Sequence, residues 1–192
     1  MRQEKKYIIP TFKTQLFKKT IINLGFQVHH KYNLINNIYF DDLNMSSAYE
    51  NIEGDLFRSK YRIRWYGIND EKYTLEKKQK FSSSGIKEKI RLSATNIADA
   101  ILETENRTNL NAIIANAYYR EYFIREGVRI TIDSNLKFKV PKGKTSMNYP
   151  NNIVEIKYDT EALPDLDNII SQLTPLTKFS KYLTGLETLS LI

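Results

Sequence analysis

Residues Phe57–Gly67 read FRSKYRIRWYG, and their alternation decides the fold. Arg58, Lys60, Arg62 and Arg64 take every second position, with Ser59, Tyr61, Ile63 and Trp65 between them. Side chains alternate between the two faces of a strand. The stretch therefore reads as a strand with one cationic face and one largely aromatic or aliphatic face. Lys or Thr would serve as solvent filler, whereas the planar fork of Arg suits phosphate oxygens. The same parity recurs outward along the chain. Glu4 and Lys6 share a face, as do Thr74, Glu76, Lys78 and Lys80, then Lys87, Lys89 and Arg91. Arg129, Thr131 and Asp133 follow, and finally Glu155 and Lys157. One solvated face of an antiparallel sheet explains one or two such strands. Recurrence over at least six, with acids and bases mixed in short words such as EIK and EKK, points to a curved or closed sheet. Its charged faces would look inward, and helices would cover its apolar outer faces. An empty lumen of like charges is costly, so water, carboxylates and a bound polyanion are the expected compensation.

The rest of the chain reads as an α+β domain. Strands are expected over Glu4–Ile9, Leu34–Asp41, Asp55–Tyr66, Lys72–Phe81, Gly85–Leu92, Tyr118–Arg125, Gly127–Asp133, Leu136–Val140 and Ile153–Asp159. Helices are expected over Thr11–Leu24, with apolar spacing at Phe12, Leu16, Ile21 and Leu24, over Thr95–Asn116 as one or two pieces, and over Leu163–Leu173. Ser46–Asn51 reads as a short helix or turn, and Phe179–Leu189 as a helical or mixed segment. No Pro/Gly/Ser-rich linker and no repeat divides residues 1–192, so a single domain is expected.

Composition narrows the function classes. Hydrophobic residues make up 41% of the 192, enough for a core. There is no cysteine, hence no disulfide framework and no thiolate chemistry. No apolar run approaches the ~18 residues of a membrane helix, and the opening MRQEKKYIIPTFK lacks the apolar core of a signal peptide. A cytoplasmic protein without a membrane segment is the expectation. Lys and Arg number 29 against 22 acids, a net charge of +7 that favours polyanions without saying which.

RIRWYG at Arg62–Gly67 resembles the core motif of the VTC domain, the polyphosphate polymerase branch of the triphosphate tunnel metalloenzyme (CYTH-like) superfamily. Other words follow in the family's order: EKKY at Glu4–Tyr7, IYFDD at Ile38–Asp42, LEKKQK at Leu75–Lys80 and KEK at Lys87–Lys89. After them come YYREYF at Tyr118–Phe123, RITID at Arg129–Asp133, IVEIKYD at Ile153–Asp159 and FSKYLTG at Phe179–Gly185. The resemblance implies an antiparallel eight-stranded β-barrel, a tunnel with a charged lumen and flanking helices. It implies Mn2+ or Mg2+ as cofactor, with ATP and inorganic polyphosphate, or another linear phosphate polyanion, as partners. The activity it implies is a phosphotransferase moving the ATP γ-phosphate onto polyphosphate.

By this resemblance Arg62, Arg64, Lys78, Arg129, Lys157 and Lys181 would act on the transferred phosphates. Lys6, Arg58, Lys60, Lys80, Lys89, Arg120 and Ser180 would bind the substrate around them. Glu155 would be the principal metal ligand, helped by Glu4 and Glu76. Hydrolase branches open with E-x-E-x-K; here Arg2 replaces the first acid, which disfavours hydrolysis and a second metal. Other readings of the same residues stay open. Glu155 could equally be a cross-strand ion-pair partner of Lys157. Asp41 and Asp42 read as turn or cap acids, Asp133 as an orienter of Arg129 or Arg120, and His29 and His30 as surface residues. Trp65, Tyr66, Tyr118 and Tyr119 read as core more than as stacking platforms. The alternatives in function are a non-catalytic polyanion receptor and a metal-dependent triphosphatase, with no specific nucleic acid expected.

Overall fold

In the computed structural model, which describes residues 2–68, 72–82, 84–159, 171, 173–176 and 179–192, the alternating stretches form strands. They are β1 (Arg2–Pro10), β2 (Gln27–Asp41), β3 (Phe57–Tyr66), β4 (Thr74–Phe81), β5 (Ser84–Arg91), β6 (Asn111–Arg125), β7 (Val128–Lys139), β8 (Ser146–Asn148), β9 (Asn151–Asp159) and β10 (Thr174–Leu176). The helices are α1 (Thr14–Asn23), entered through a 3-10 turn at Thr11–Lys13, α2 (Ser46–Glu53), α3 (Ile97–Thr108) and α4 (Lys181–Thr188). The architecture is the expected α+β, mostly antiparallel one. Among the described residues the long strands are eight in number, β1 to β7 and β9, while β8 and β10 have three residues each.

Several boundaries differ from the sequence reading. Thr95–Asn116 is not all helix: α3 stops at Asn109, which adopts a left-handed φ of 55°, and β6 begins at Asn111. Asn tolerates that conformation and so ends helices much as Gly does. Leu136–Val140 is no separate strand but the end of β7, which continues through Asn135 at φ 53°. Of the expected apolar stripe Ile21 is buried, but Phe12 and Leu16 are exposed, and α1 buries Thr14 and Phe17 in their place. The helix expected over Leu163–Leu173 falls largely outside the described residues. None of the described helices is long and apolar enough to cross a membrane.

The chain forms two compact units. Unit one comprises Met1–Leu34, Tyr118–Lys137 and Asn148–Phe179. Its strand order is β10-β1-β9-β7-β6, with β10 at the edge. The antiparallel register sets Glu4 opposite Lys157, Lys6 opposite Glu155, Arg129 opposite Lys157 and Thr131 opposite Glu155. Directly paired residues share a face, so these charges line one side. Tyr7, Ile9, Ile130, Ile132, Val154 and Ile156 line the other, where Phe17 and Ile21 of α1 close the core with Phe26 and Phe123.

Unit two comprises Ile35–Ala117, Phe138–Met147 and Ser180–Ile192. Its order is β6-β2-β3-β4-β5, with β5 exposed along its whole length at the edge. Charged edge strands resist pairing with other chains. Ile38, Phe40, Ile63, Leu75 and Leu92 form the apolar face, covered by Ala100, Ile97 and Ile101 of α3. The Asn96 side chain caps α3 by accepting from the Asp99 amide at 3.0 Å. Gly185 of α4 packs so closely that a Cβ there would fall 2.7 Å from Phe138 Cδ1.

Candidate functional site

The opening stretch builds a cluster of charged residues in unit two. Register pairs Arg58 with Lys80, Lys60 with Lys78, Arg62 with Glu76 and Arg64 with Thr74. It then pairs Thr74 with Arg91, Glu76 with Lys89 and Lys78 with Lys87. One face of β3, β4 and β5 thus carries Arg58, Lys60, Arg62, Arg64, Lys78, Lys80, Lys87, Lys89 and Arg91 around a single acid, Glu76. The opposite parity carries Tyr61, Ile63 and Trp65 against the core under α3.

Glu76 is 4% exposed and is claimed by cations on both oxygens. Oε2 lies 2.6 Å from Arg62 Nη2 and 3.9 Å from Arg64 Nη1, and Oε1 lies 2.9 Å from Lys87 Nζ. Burial alone would raise its pKa, but Arg62 and Arg64, with hydrogen bonds from Lys87 and Arg62, outweigh it and hold the carboxyl at about 2. Burial lowers Lys87, as do Arg62 and Arg64, against the pull of Glu76. Glu76 is therefore the counter-charge of this face. Expected among the metal ligands, it has both oxygens paired here with guanidinium and ammonium groups. Around it, Arg64 donates to Asn37 Oδ1 at 2.9 Å and Asn37 donates to buried Asn116 at 2.8 Å. Lys60 donates to Ser180 Oγ at 3.0 Å, and Ser180 caps α4, on which Lys181 is the first residue. Arg58 turns to the Asp55 carbonyl. Lys78, Lys80 and Lys89 have no hydrogen-bond or ion-pair partner among the described residues, which leaves them to an incoming anion.

Unit one carries a charged cluster of its own. Lys157 Nζ is 2.9 Å from Glu155 Oε1 and 2.9 Å from Glu4 Oε2, so one ammonium bridges carboxylates from adjacent strands. Lys6 reaches Glu4 at 3.6 Å and the Phe179 carbonyl at 3.3 Å. Arg120 is locked: its Nε and Nη2 donate to the two oxygens of buried Asp133 at 2.5 and 2.7 Å, and Tyr118 and Tyr122 flank it. Although burial disfavours its charge, Asp133 outweighs this and raises its pKa. Asp133 thus orients Arg120, one of the two partners expected for it. Beside them, Arg129 Nε and Thr131 Oγ1 are buried with no hydrogen-bond partner. Buried polar groups are normally satisfied; Thr104 Oγ1 and Asn116 Nδ2 are in the same state in unit two.

Other expectations resolve simply. Asp41 and Asp42 are cap acids: Asp41 accepts from the Ser47 and Ala48 amides at the start of α2, and Asp42 from those of Asn44 and Ser46. His29 and His30 are exposed, 4.2 Å apart by ring centroid. Trp65 packs on Tyr73, and Tyr118 is buried. No group of three or more His, Cys, Asp or Glu able to hold a metal occurs among the described residues. Lys87, Arg91 and Thr131, which parity places on the charged faces, and Tyr39 lie on these faces although none was among the expected site residues. Parity was the available signal: Lys87 and Arg91 flank Lys89 by two, Thr131 follows Arg129 by two, and Tyr39 alternates with Ile38 and Phe40.

Comparison with known proteins adds an independent line. A family-wide sequence description, the VTC domain, matches residues 1–108 and 93–190. Comparison with curated proteins finds no match. Among solved structures, the PH1819 protein of Pyrococcus horikoshii OT3 superposes with a TM-score of 0.62 at 16% identity, over 97% of this chain and 99% of that one. A candidate adenylate cyclase from Vibrio parahaemolyticus gives 0.59 at 13% identity, over 95% and 97% of the two chains. Another from Bacillus halodurans gives 0.56 at 15%, over 94% and 96%. At these identities the likeness is one of fold alone.

Proposed function

This chain belongs to the VTC domain family, and from that premise we propose that it binds linear phosphate polyanions and moves the γ-phosphate of ATP onto inorganic polyphosphate. The observation that supports this most is the face of β3, β4 and β5, where nine cations surround one buried acid. Cations so spaced repel one another unless an anion lies among them. A chain of phosphates supplies one charge after another along a row of cations, and Arg forks bind such oxygens in pairs.

Phosphoryl transfer asks mainly for in-line positioning and neutralisation of spreading charge. In unit two, Arg62 and Arg64 hold phosphate oxygens, with Lys78, Lys80 and Lys89 beside them. In unit one, Arg129 and Lys157 do the same, and Arg120, fixed by Asp133, presents a rigid edge. A terminal oxygen of the acceptor forms a bond to the γ-phosphorus while the bond to the β–γ bridging oxygen breaks. That oxygen keeps the electron pair and ADP leaves. The acceptor is already ionised, so no general base is needed.

Mn2+ or Mg2+ fits unit one. Glu4 and Glu155 both reach Lys157, each at 2.9 Å, with Lys6 3.6 Å from Glu4, and a hard cation commonly takes one or two carboxylates with substrate phosphates completing its shell. Glu155 and Glu4 would hold it there. When bound, it would neutralise charge on the transferred oxygens.

The test is incubation of the full chain with ATP, a short polyphosphate primer and Mn2+, resolved on a gel. Lengthened polymer with ADP supports the proposal. Orthophosphate without polymer assigns the chain to the triphosphatases. Tight binding of polyphosphate without turnover in any metal makes it a receptor. Cytoplasmic action on soluble nucleotide is part of the proposal.

A further inference from the structure

Tyr39 of β2 pairs in register with Arg62, which places it on the cationic face of unit two. It is 5% exposed. Its hydroxyl oxygen accepts from Arg62 Nη1 at 3.3 Å, and the same guanidinium lies 5.9 Å from its ring centroid. The ring stacks on Tyr182 at 5.4 Å and 21°. Tyr182 is itself fixed, because its hydroxyl donates to Asp41 Oδ2 at 2.6 Å and Asp41 is held by the Ser47 and Ala48 amides. Tyr39 is therefore clamped, its hydroxyl aimed at cations.

A phenol oxygen accepts hydrogen bonds and its proton donates one. Here Arg62 fills the accepting half. The charged groups that face the hydroxyl are Arg62 and Arg64 from β3 and Lys181 from α4, all donors without acceptor capacity. Asp41, on Tyr39's own strand, is committed to Tyr182 and to the start of α2. Among the described residues nothing accepts the Tyr39 proton. A nearly buried donor among cations lacks only an anion's oxygen.

We propose that Tyr39 is a substrate-binding residue whose hydroxyl donates to a non-bridging phosphate oxygen held by Arg62 and Arg64. This rests on the reading of the face as a phosphate site and deepens it. Tyr39 gives the face a neutral donor fixed in direction, where lysines offer mobile charge. It also ties the site to α4 through the Tyr39–Tyr182 stack. The electrostatics agree: burial would raise the phenol's pKa, but Arg62, Arg64 and Lys181 outweigh burial and hold it below its ordinary 10.0. A phosphate among those cations would push it back up.

Calorimetric titration of the full chain with tripolyphosphate, for wild type and Tyr39→Phe, tests the proposal. The expected result is binding weakened roughly ten-fold in the variant, with the ligand-free melting temperature unchanged. A second measurement follows the phenolate directly. Ultraviolet difference absorbance in the alkaline range should show one early phenolate that tripolyphosphate suppresses, a step missing from Tyr39→Phe. Equal affinity in both proteins, or a phenolate step indifferent to tripolyphosphate, overturns the role of Tyr39 and leaves the phosphate site standing. No binding to the wild type overturns the phosphate site, and the role of Tyr39 with it.

Discussion

Replacing Glu76 with Gln removes the one acid from a face of nine cations, and its effect can be worked from the structure. Glu76 is 4% exposed, with Arg62 at 2.6 Å and Lys87 at 2.9 Å. Holding its carboxyl at about 2 instead of its ordinary 4.5 corresponds to about 3 kcal/mol, at roughly 1.36 kcal/mol per pH unit. Water reaching the partly exposed Arg62 and Lys87 trims this to about 2 kcal/mol. For a chain of this size that is roughly 4–8 °C in Tm. The folded pKa is depressed, so the stabilisation is fully present above about 4.5 and is lost as pH falls through about 2. Urea unfolding in chloride buffer, free of phosphate and sulfate that would fill the face, measures it. Glu76→Gln should be less stable at neutral pH, and the gap to wild type should narrow across that acid window. A gap near zero at neutral pH, or one that does not change on acidification, refutes the counter-charge argument. The variant should also bind tripolyphosphate at least as tightly as wild type, because Arg62 and Lys87 are released; a loss of Mn2+ dependence would make Glu76 a metal ligand after all.

Other substitutions probe separate parts of the design. Glu155→Gln should lower metal-dependent turnover at least ten-fold, with partial recovery at high Mn2+; full-rate turnover in limiting Mn2+ counts against Glu155 as ligand. Asp133→Asn leaves buried Arg120 without its bidentate partner and should destabilise the protein by about 3–5 kcal/mol; an unchanged urea midpoint speaks against the lock. Gly185→Val places carbon where Phe138 lies 2.7 Å away, so about 2–3 kcal/mol of stability should be lost, measured by the same unfolding assay. An unchanged midpoint there means that α4 moves without strain.

Parity made much of the fold legible. Strand faces follow from alternation alone, so FRSKYRIRWYG placed its Arg residues and its Ile63 and Trp65 on opposite sides, as the register shows. What parity could not give was where periods change. Asn111–Asn116 has too few charged residues to betray its alternation, so α3 seemed to run on until Asn109 ended it. The apolar Phe12 and Leu16 looked like a buried stripe because helical spacing fixes which residues share a face, not which face is inside.

The site was legible to the extent that it is made of repeated charges, and less so where one charge answers another. Sequence treats Glu76 and Glu155 alike, as single acids among lysines and arginines. Three dimensions separate them: Glu76 is buried and engaged on both oxygens by Arg62, Arg64 and Lys87, whereas Glu155 shares one lysine with a second carboxylate, Glu4. The first arrangement keeps a cationic face folded before any anion arrives. In the second, two carboxylates share Lys157, with Lys6 3.6 Å from Glu4. The difference lies in how many cations surround each acid, and that number depends on strand order, which alternation along one strand does not encode. Arg120 makes the same point: only when β7 brings Asp133 to it does a substrate contact expected from sequence become a fixed edge held at 2.5 and 2.7 Å.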